Sequence, residues 1–559
     1  MSAAERTDNT SLVPHYSFPG TLAEQEAALE TNPLMQRLLA YRKRYQGDSH
    51  RPIYHYVNPE NTLNDPNGLC FWQDRWHLFY QACPPEDPRQ HWGHAISDDL
   101  IHWQDLPYAI YPNPEERCYS GAALVEEDRV IAMYHGTTVG NMVAVSHDPL
   151  LLNWEKLTGA PVIPKASADG SPLPYRVFDP CIWKKGDHYY ALSGSILPHA
   201  ASGRRTRANF LFRSSSLVDW DYLHPFVEDD RFTLVGDDGA CPYFWPIGDR
   251  HILLFYGHMS GGQALLGDYD TERDKFVVTS HHDFNFGASE PGGVHAPSAT
   301  PDGKGGVNVI FNMNPAKPTE GWNQIMTLPR RLTLQGTDKI GRDTLLVEPA
   351  GDVESLRREH RQITDLTLPA NQEIVLGSIR GNAIELMMEI EDNDAPLIEL
   401  NVLRSPGSEE YTRIAFYRER GFRYWELSES WMRDMLAAVN DGAGPGFFSS
   451  SLLSDEQREK LAAATYSLIS IDASHASLAP DVLSRAPETG PVFLDRDEPL
   501  RLRVFVDKSV VEVFVNGKQC VATRVYPERE DSIGVSLRSQ GQDARVVSLE
   551  AWQMENIYE

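Results

Sequence analysis

Carboxylates stand at the openings of three similar segments of this chain. Asp65 lies in Asn64-Asp65-Pro66-Asn67-Gly68, Asp179 in Phe178-Asp179-Pro180, and the pair Asp237-Asp238 shortly before Cys241-Pro242. The run around Asp65 reads as a Pro/Asn/Gly turn after the aromatic, extended stretch Tyr54-His55-Tyr56. A carboxylate held there by proline and a neighbouring amide is fixed, as a nucleophile must be. Several such acids around one hollow suit glycoside chemistry, in which one attacks and another donates a proton. Their repulsion and burial would raise the pKa of one and leave it protonated near neutral pH.

What would position them is a repeat. Each unit opens with a small polar motif, runs through an apolar strand, turns at an acidic or Gly-rich hairpin and enters a second apolar strand. The openings are Asp65 to Gly68, Tyr119-Ser120-Gly121, Asp179-Pro180, Asp238 to Pro242 and His295-Ala296-Pro297. They recur at roughly 55–60 residues, long enough for four strands each, and five such units predict a five-bladed β-propeller. In that architecture the innermost strands all start at one end of a central channel, so residues distant in sequence converge.

Composition narrows the partners. A net charge of −28 opposes nucleic acid and anionic membranes and fits a neutral substrate. The 12 Trp, 23 Tyr and 21 Phe suit stacking on sugar faces, and equally an all-β core. Six scattered cysteines lack CxxC spacing, so neither a zinc site nor a disulfide framework is expected. His91, His94 and His102 are not spaced as metal ligands. No cofactor is expected. The polar N-terminus and the lack of a long apolar run predict a cytoplasmic protein.

Residues 1–50 read as a helical extension, with helix over Thr21–Tyr45 broken near Asn32-Pro33 and Thr21 and Glu24 forming a capping box. The propeller is expected over 51–345, a linker over 346–364 and a β-sandwich over 365–559. The clearest sandwich feature is a hairpin with its turn at Asn516-Gly517, in which Asp507 is expected to be structural. An insertion over about 405–499, with helical stretches, is a candidate for contacts between copies of the chain.

In this order, the motifs resemble glycoside hydrolase family 32, the invertase, inulinase and levanase group. They include Asn64 to Gly68, Phe79-Tyr80-Gln81, Trp92-Gly93-His94, Tyr119-Ser120-Gly121, Phe178-Asp179-Pro180, Cys241-Pro242, Leu328 to Arg331 and the hairpin from Phe505 to Pro527. The resemblance implies a five-bladed propeller followed by a β-sandwich. It further implies that Asp65 attacks the anomeric C2 of a β-D-fructofuranosyl unit with retention of configuration. Asp179 would stabilise the transition state, and Asn64, Gln81, Trp92, Tyr119 and Ser120 would line the fructose pocket.

Two positions depart from the family. Where it has Arg before the stabilising Asp, this chain has Phe178. Arg176, two residues earlier, would share a face with Phe178 in an extended strand. Where the family has its acid/base Glu before Cys241, this chain has Ala240, which cannot transfer a proton. Asp238, two residues back, is the first candidate to replace it. Glu290, in the loop before the fifth unit, is the second, and Asp237 the third. The expected activity is hydrolysis of sucrose or short fructo-oligosaccharides. A fructoside-binding protein without turnover and a fructosyltransferase are the alternatives.

Overall fold

The computed structural model describes residues 9–198, 203–337, 343–391, 395–422, 455, 465–495 and 498–559. Two helices, α1 (Leu22–Thr31) and α2 (Pro33–Arg44), precede a chain built almost entirely of strands. The break falls at Asn32, whose side chain accepts from the amides of Leu34 and Met35 and so caps α2. Thr21 precedes α1 but does not cap it through its side chain. Its hydroxyl donates to Glu24 instead, at 2.6 Å, so the expected capping box is not formed.

Five sheets follow between residues 62 and 349, antiparallel apart from one short parallel pair, Val227–Glu228 with Lys275–Asp283. Their first strands are β1 (Thr62–Trp72), β2 (Cys118–Val125), β3 (Pro180–Lys185), β4 (Ala240–Ile247) and β5 (Val294–Pro301). Each pairs with the strand that follows it across a tight turn. In the first hairpin Gln73 and Asp74 both adopt positive φ, the geometry that matches strand twist in a two-residue loop. The five first strands touch in cyclic order, β1 with β2, β2 with β3, β3 with β4, β4 with β5 and β5 with β1. Their mid-portions are buried in apolar cores.

Four of these five strands are bulged near their openings. The register shifts between Leu63 and Pro66 in β1, Cys118 and Gly121 in β2, Ala240 and Tyr243 in β4, and Val294 and Pro297 in β5. Asp65, expected on a turn, therefore lies within β1 on a bulge, which frees a residue from the ladder and re-aims its side chain. Gly68 follows at φ +52, and a Cβ there would press on Phe79, Trp92 and Ala123 at 3.2–3.3 Å. Deeper in, the Tyr243 hydroxyl accepts from the Gly68 amide (3.1 Å), donates to the Gly121 carbonyl (2.8 Å) and shares a hydrogen bond with Ser298 (2.9 Å). One phenol thus joins β1, β2, β4 and β5.

Two six-stranded antiparallel sheets complete the chain, with an apolar core that includes Leu386, Ile398, Val504, Val513 and Leu537. The stretch 346–364 differs from the expected linker. Asp343–Pro349 is the last strand of the fifth sheet, Val353–Leu356 is a single 3-10 turn, and Arg357–Leu368 already pairs in a six-stranded sheet. The expected insertion is also narrower, because Thr412–Phe422, Thr465–Asp472 and Glu488–Val492 are strands of the second sheet. Its helical stretches, apart from Asp455, lie outside the described residues. Among the described residues no helix is long and apolar enough to cross a membrane.

Candidate active site

The openings of the inner strands bring Asp65 and Asp179 to one place. Both are buried, and each has its Oδ2 3.5 Å from the Cys241 sulfur, so those two oxygens are at most twice that distance apart. Asp65 Oδ2 accepts from Ser120 Oγ at 2.6 Å and from Gln81 Nε2 at 3.0 Å, and Gln81 also donates to Ser120 at 2.7 Å. Asn64 donates to the Gln81 carbonyl oxygen (3.2 Å) and accepts from Gln324 (3.1 Å), which fixes the Gln81 amide. Asp65 Oδ1 makes no aligned hydrogen bond with another described residue, although His295 Nδ1 stands 3.2 Å away. One carboxylate oxygen is therefore anchored and the other is left to react.

The pKa values of the two acids are pushed apart. Burial would raise Asp65, but contacts with His295, Ser120 and Cys241 outweigh it and hold its pKa below the ordinary value. Asp179 accepts from the Cys241 amide at 3.1 Å, yet burial first, and then the charge of Asp65, push it up to about 7. Two nearby carboxyls with separated pKa values match the pattern of acid/base sites.

The remaining sequence candidates are placed as follows. Trp92 is fully buried and donates to the Tyr119 carbonyl at 2.9 Å, so it supports the pocket from beneath and does not line it. Tyr119 is half-buried, with its ring 6.2 Å from His135. Arg176 is exposed. The segment before β3 is not an extended strand, so the alternation that would pair it with Phe178 does not operate. Phe178 instead packs on Ala240, Cys241, Tyr256 and Ala296. The two departures from the family pattern thus meet in one apolar cluster.

Asp237 is fully buried, accepting from Arg207 (3.1 Å), Ser260 (2.7 Å) and the Leu234 amide (3.2 Å). That pairing commits it to the frame. Glu290 is exposed and makes no hydrogen bond or ion pair with another described residue. Asp238 is partly exposed and bonds through Oδ2 to His258 Nδ1.

Sequence reasoning missed His295, Cys241, Tyr256 and His258 as members of the site. His295 and Cys241 were open to the convergence rule, since each stands in the opening of a repeat unit. Tyr256 lies in a second strand and His258 just beyond its end, and only the pairing of that hairpin reveals them.

A buried pair of carboxylates at the mouth of a ring of sheets defines a glycosyl hydrolase type of site, and comparison with known proteins agrees. The glycosyl hydrolases family 32 N-terminal domain matches residues 55–349, and the glycosyl hydrolases family 32 C-terminal domain matches residues 352–553. The chain belongs to glycosyl hydrolases family 32. It is 27% identical over 541 residues to the sucrose-6-phosphate hydrolase of Escherichia coli, covering 89% of this chain and 93% of that one. It is 25% identical over 555 residues to the levanase of Bacillus subtilis, covering 92% and 72%. The crystal structure of fructan 1-exohydrolase IIa from Cichorium intybus shares the fold, with a TM-score of 0.73 at 20% identity over 91% of this chain and 98% of that one.

Proposed function

We propose that this protein is a retaining β-fructofuranosidase that removes terminal β-D-fructofuranosyl units from sucrose or short fructo-oligosaccharides. In this reading the five sheets are the blades of a five-bladed β-propeller, and the two six-stranded sheets form a β-sandwich. The observation that carries the proposal is the Asp65 carboxylate, anchored through one oxygen by Ser120 and Gln81 and lying within reach of Asp179 around a common sulfur. Asp65 attacks C2 through its unanchored oxygen and forms a fructosyl-enzyme. Asp179 binds fructose hydroxyls more tightly as the ring gains oxocarbenium character. The proton for the leaving oxygen comes from the Asp238 side of the mouth, because Asp237 is committed to Arg207. The named relatives that act on sucrose-6-phosphate and levan support the fructoside class.

The test is the Asp65→Asn variant, which keeps the pocket's shape and removes the attacking group. Glucose release from sucrose is expected to fall by roughly 10⁴-fold or more, while calorimetry still detects sucrose binding. If the unaltered protein binds sucrose without releasing glucose, even in excess over substrate, it is a fructoside-binding protein and the proposal fails. Trisaccharide as the main product at high sucrose would make it a fructosyltransferase with the same Asp65 intermediate.

A further inference from the structure

Position 240 is the one from which the family supplies its proton donor, and here it is a buried alanine at the start of β4. Register shows what lies near it. Ala240 pairs with Tyr256 across the hairpin, and continuing that antiparallel register outward sets Asp238 opposite His258. The two side chains meet, with Asp238 Oδ2 on His258 Nδ1. His258 Nε2 makes no hydrogen bond with another described residue, and the side chain is 57% exposed against 21% for Asp238. Of the two, the imidazole is the more exposed, whereas Asp238 Oδ1 is buried.

We propose that His258 transfers the catalytic proton in this enzyme and that Asp238 is its positioning residue, the pair standing in for the missing carboxyl at 240. This rests on the fructofuranosidase reading above. In the first half-reaction the Asp65 carboxylate forms a bond to C2, the C2–O bond to the leaving group breaks, and the departing oxygen takes the proton from Nε2. In the second, neutral Nε2 removes a proton from water as the water oxygen bonds to C2. The Asp65–C2 ester bond breaks as that bond forms, regenerating the carboxylate and the imidazolium.

The surroundings favour that cycle. The hydrogen bond that His258 donates to Asp238 is the largest influence on the imidazole. It raises the imidazole's pKa against the opposing effect of burial, and the charges of Asp238, Asp65 and Asp179 add to it. The Tyr256 ring lies 4.8 Å from the His258 ring and 3.9 Å from that of His295, the residue 3.2 Å from Asp65. Ser289 donates to the His258 carbonyl at 3.3 Å, which pins the backbone at the end of the strand. A histidine whose Nδ1 is fixed by a carboxylate has a defined tautomer and a free Nε2, the arrangement used by catalytic imidazoles.

The experiment compares sucrose with 4-nitrophenyl β-D-fructofuranoside, whose leaving group departs without a proton. The enzymes are the unaltered protein and its His258→Asn, His258→Gln and Asp238→Asn variants. If His258 is the donor, both His258 variants lose roughly 10²–10⁴-fold on sucrose. They still release a stoichiometric burst of nitrophenol, which also shows that they are folded. The alkaline limb of kcat/KM on sucrose belongs to His258, and Asp238→Asn moves it to lower pH, because the group raising the imidazole has lost its charge. Cleavage of sucrose by both His258 variants within about tenfold of the unaltered rate overturns the assignment and leaves the fructofuranosidase reading standing. So does finding the split between substrates in Asp238→Asn alone, which would make Asp238 the acid. No glucose release by the unaltered enzyme removes both together.

Discussion

At the scale of single residues, Asp179 carries a stability cost that fits the role proposed for it. Its folded-state pKa of about 7 lies above the ordinary aspartate value, because it is buried beside Asp65. The folded state therefore holds a proton that the unfolded chain has already released between about pH 4 and pH 7. By linkage, its contribution is favourable below that window and is lost as pH rises through it. Replacing Asp179 with Asn removes a buried group that resists ionisation. The thermal midpoint in scanning calorimetry is expected to rise by about a few degrees at pH 8 and to stay unchanged at pH 4, while sucrose turnover collapses. An equal rise at both pH values would mean that the gain comes from packing and not from charge. The same variant thus separates the stability cost of the acid from its proposed use in catalysis.

At the scale of elements, the site is a property of bulged strand openings. Asp65, Ser120, Cys241 and His295 each stand where the ladder register slips. The openings could be read from the sequence because each repeat begins with small polar residues before an apolar strand. The bulges could not, since one extra residue leaves composition and spacing almost unchanged. Counting back from the Gly248-Asp249 turn would set Asp238 against Met259, and only the slip between Ala240 and Tyr243 moves its partner to His258. The face expected for Arg176 failed for a related reason, because alternation was applied to a segment that is not a strand. The packing of Phe178 on the cluster that holds Ala240 was equally invisible, as Phe178 precedes β3 while Ala240 opens β4. It leads to a further expectation. Ala240→Glu alone buries a carboxyl in an apolar cluster and is expected to destabilise the fold by about 3 kcal/mol. Adding Phe178→Arg recovers about 1–3 kcal/mol of that in a double-mutant cycle by urea unfolding. Strict additivity would show that the two sites are independent.

At the scale of the whole molecule, a buried set of charges fastens the ring of sheets to the pair of sheets that follows. Asp507, fully buried, accepts from the amides of Ile53, Tyr54 and His55 at 2.8–2.9 Å and bonds to His55 Nδ1 at 2.9 Å. Glu512 receives His55 Nε2, the Leu328 amide and Arg330 at 2.6–3.1 Å. Burial opposes its charge, but Arg330 and His55 hold Glu512 down to about 2, so its contribution to stability persists until strong acid. His55 is raised despite its burial, through Asp507 and Glu512, and its contribution fades as pH climbs through the folded value. Asp507→Ala strands these donors and is expected to cost about 3–5 kcal/mol. Guanidinium unfolding followed by tryptophan fluorescence should show the loss, and an unchanged midpoint would contradict the role. Asp507 was legible as structural from its hairpin, but its partners around His55 lie about 450 residues away in sequence, beyond any local pattern.

The Tyr243 phenol has one more consequence. By lacing four inner strands together a few residues in from Asp65, Ser120, Cys241 and His295, it fastens the openings to one another, so that none of the four can drift without tugging on the rest.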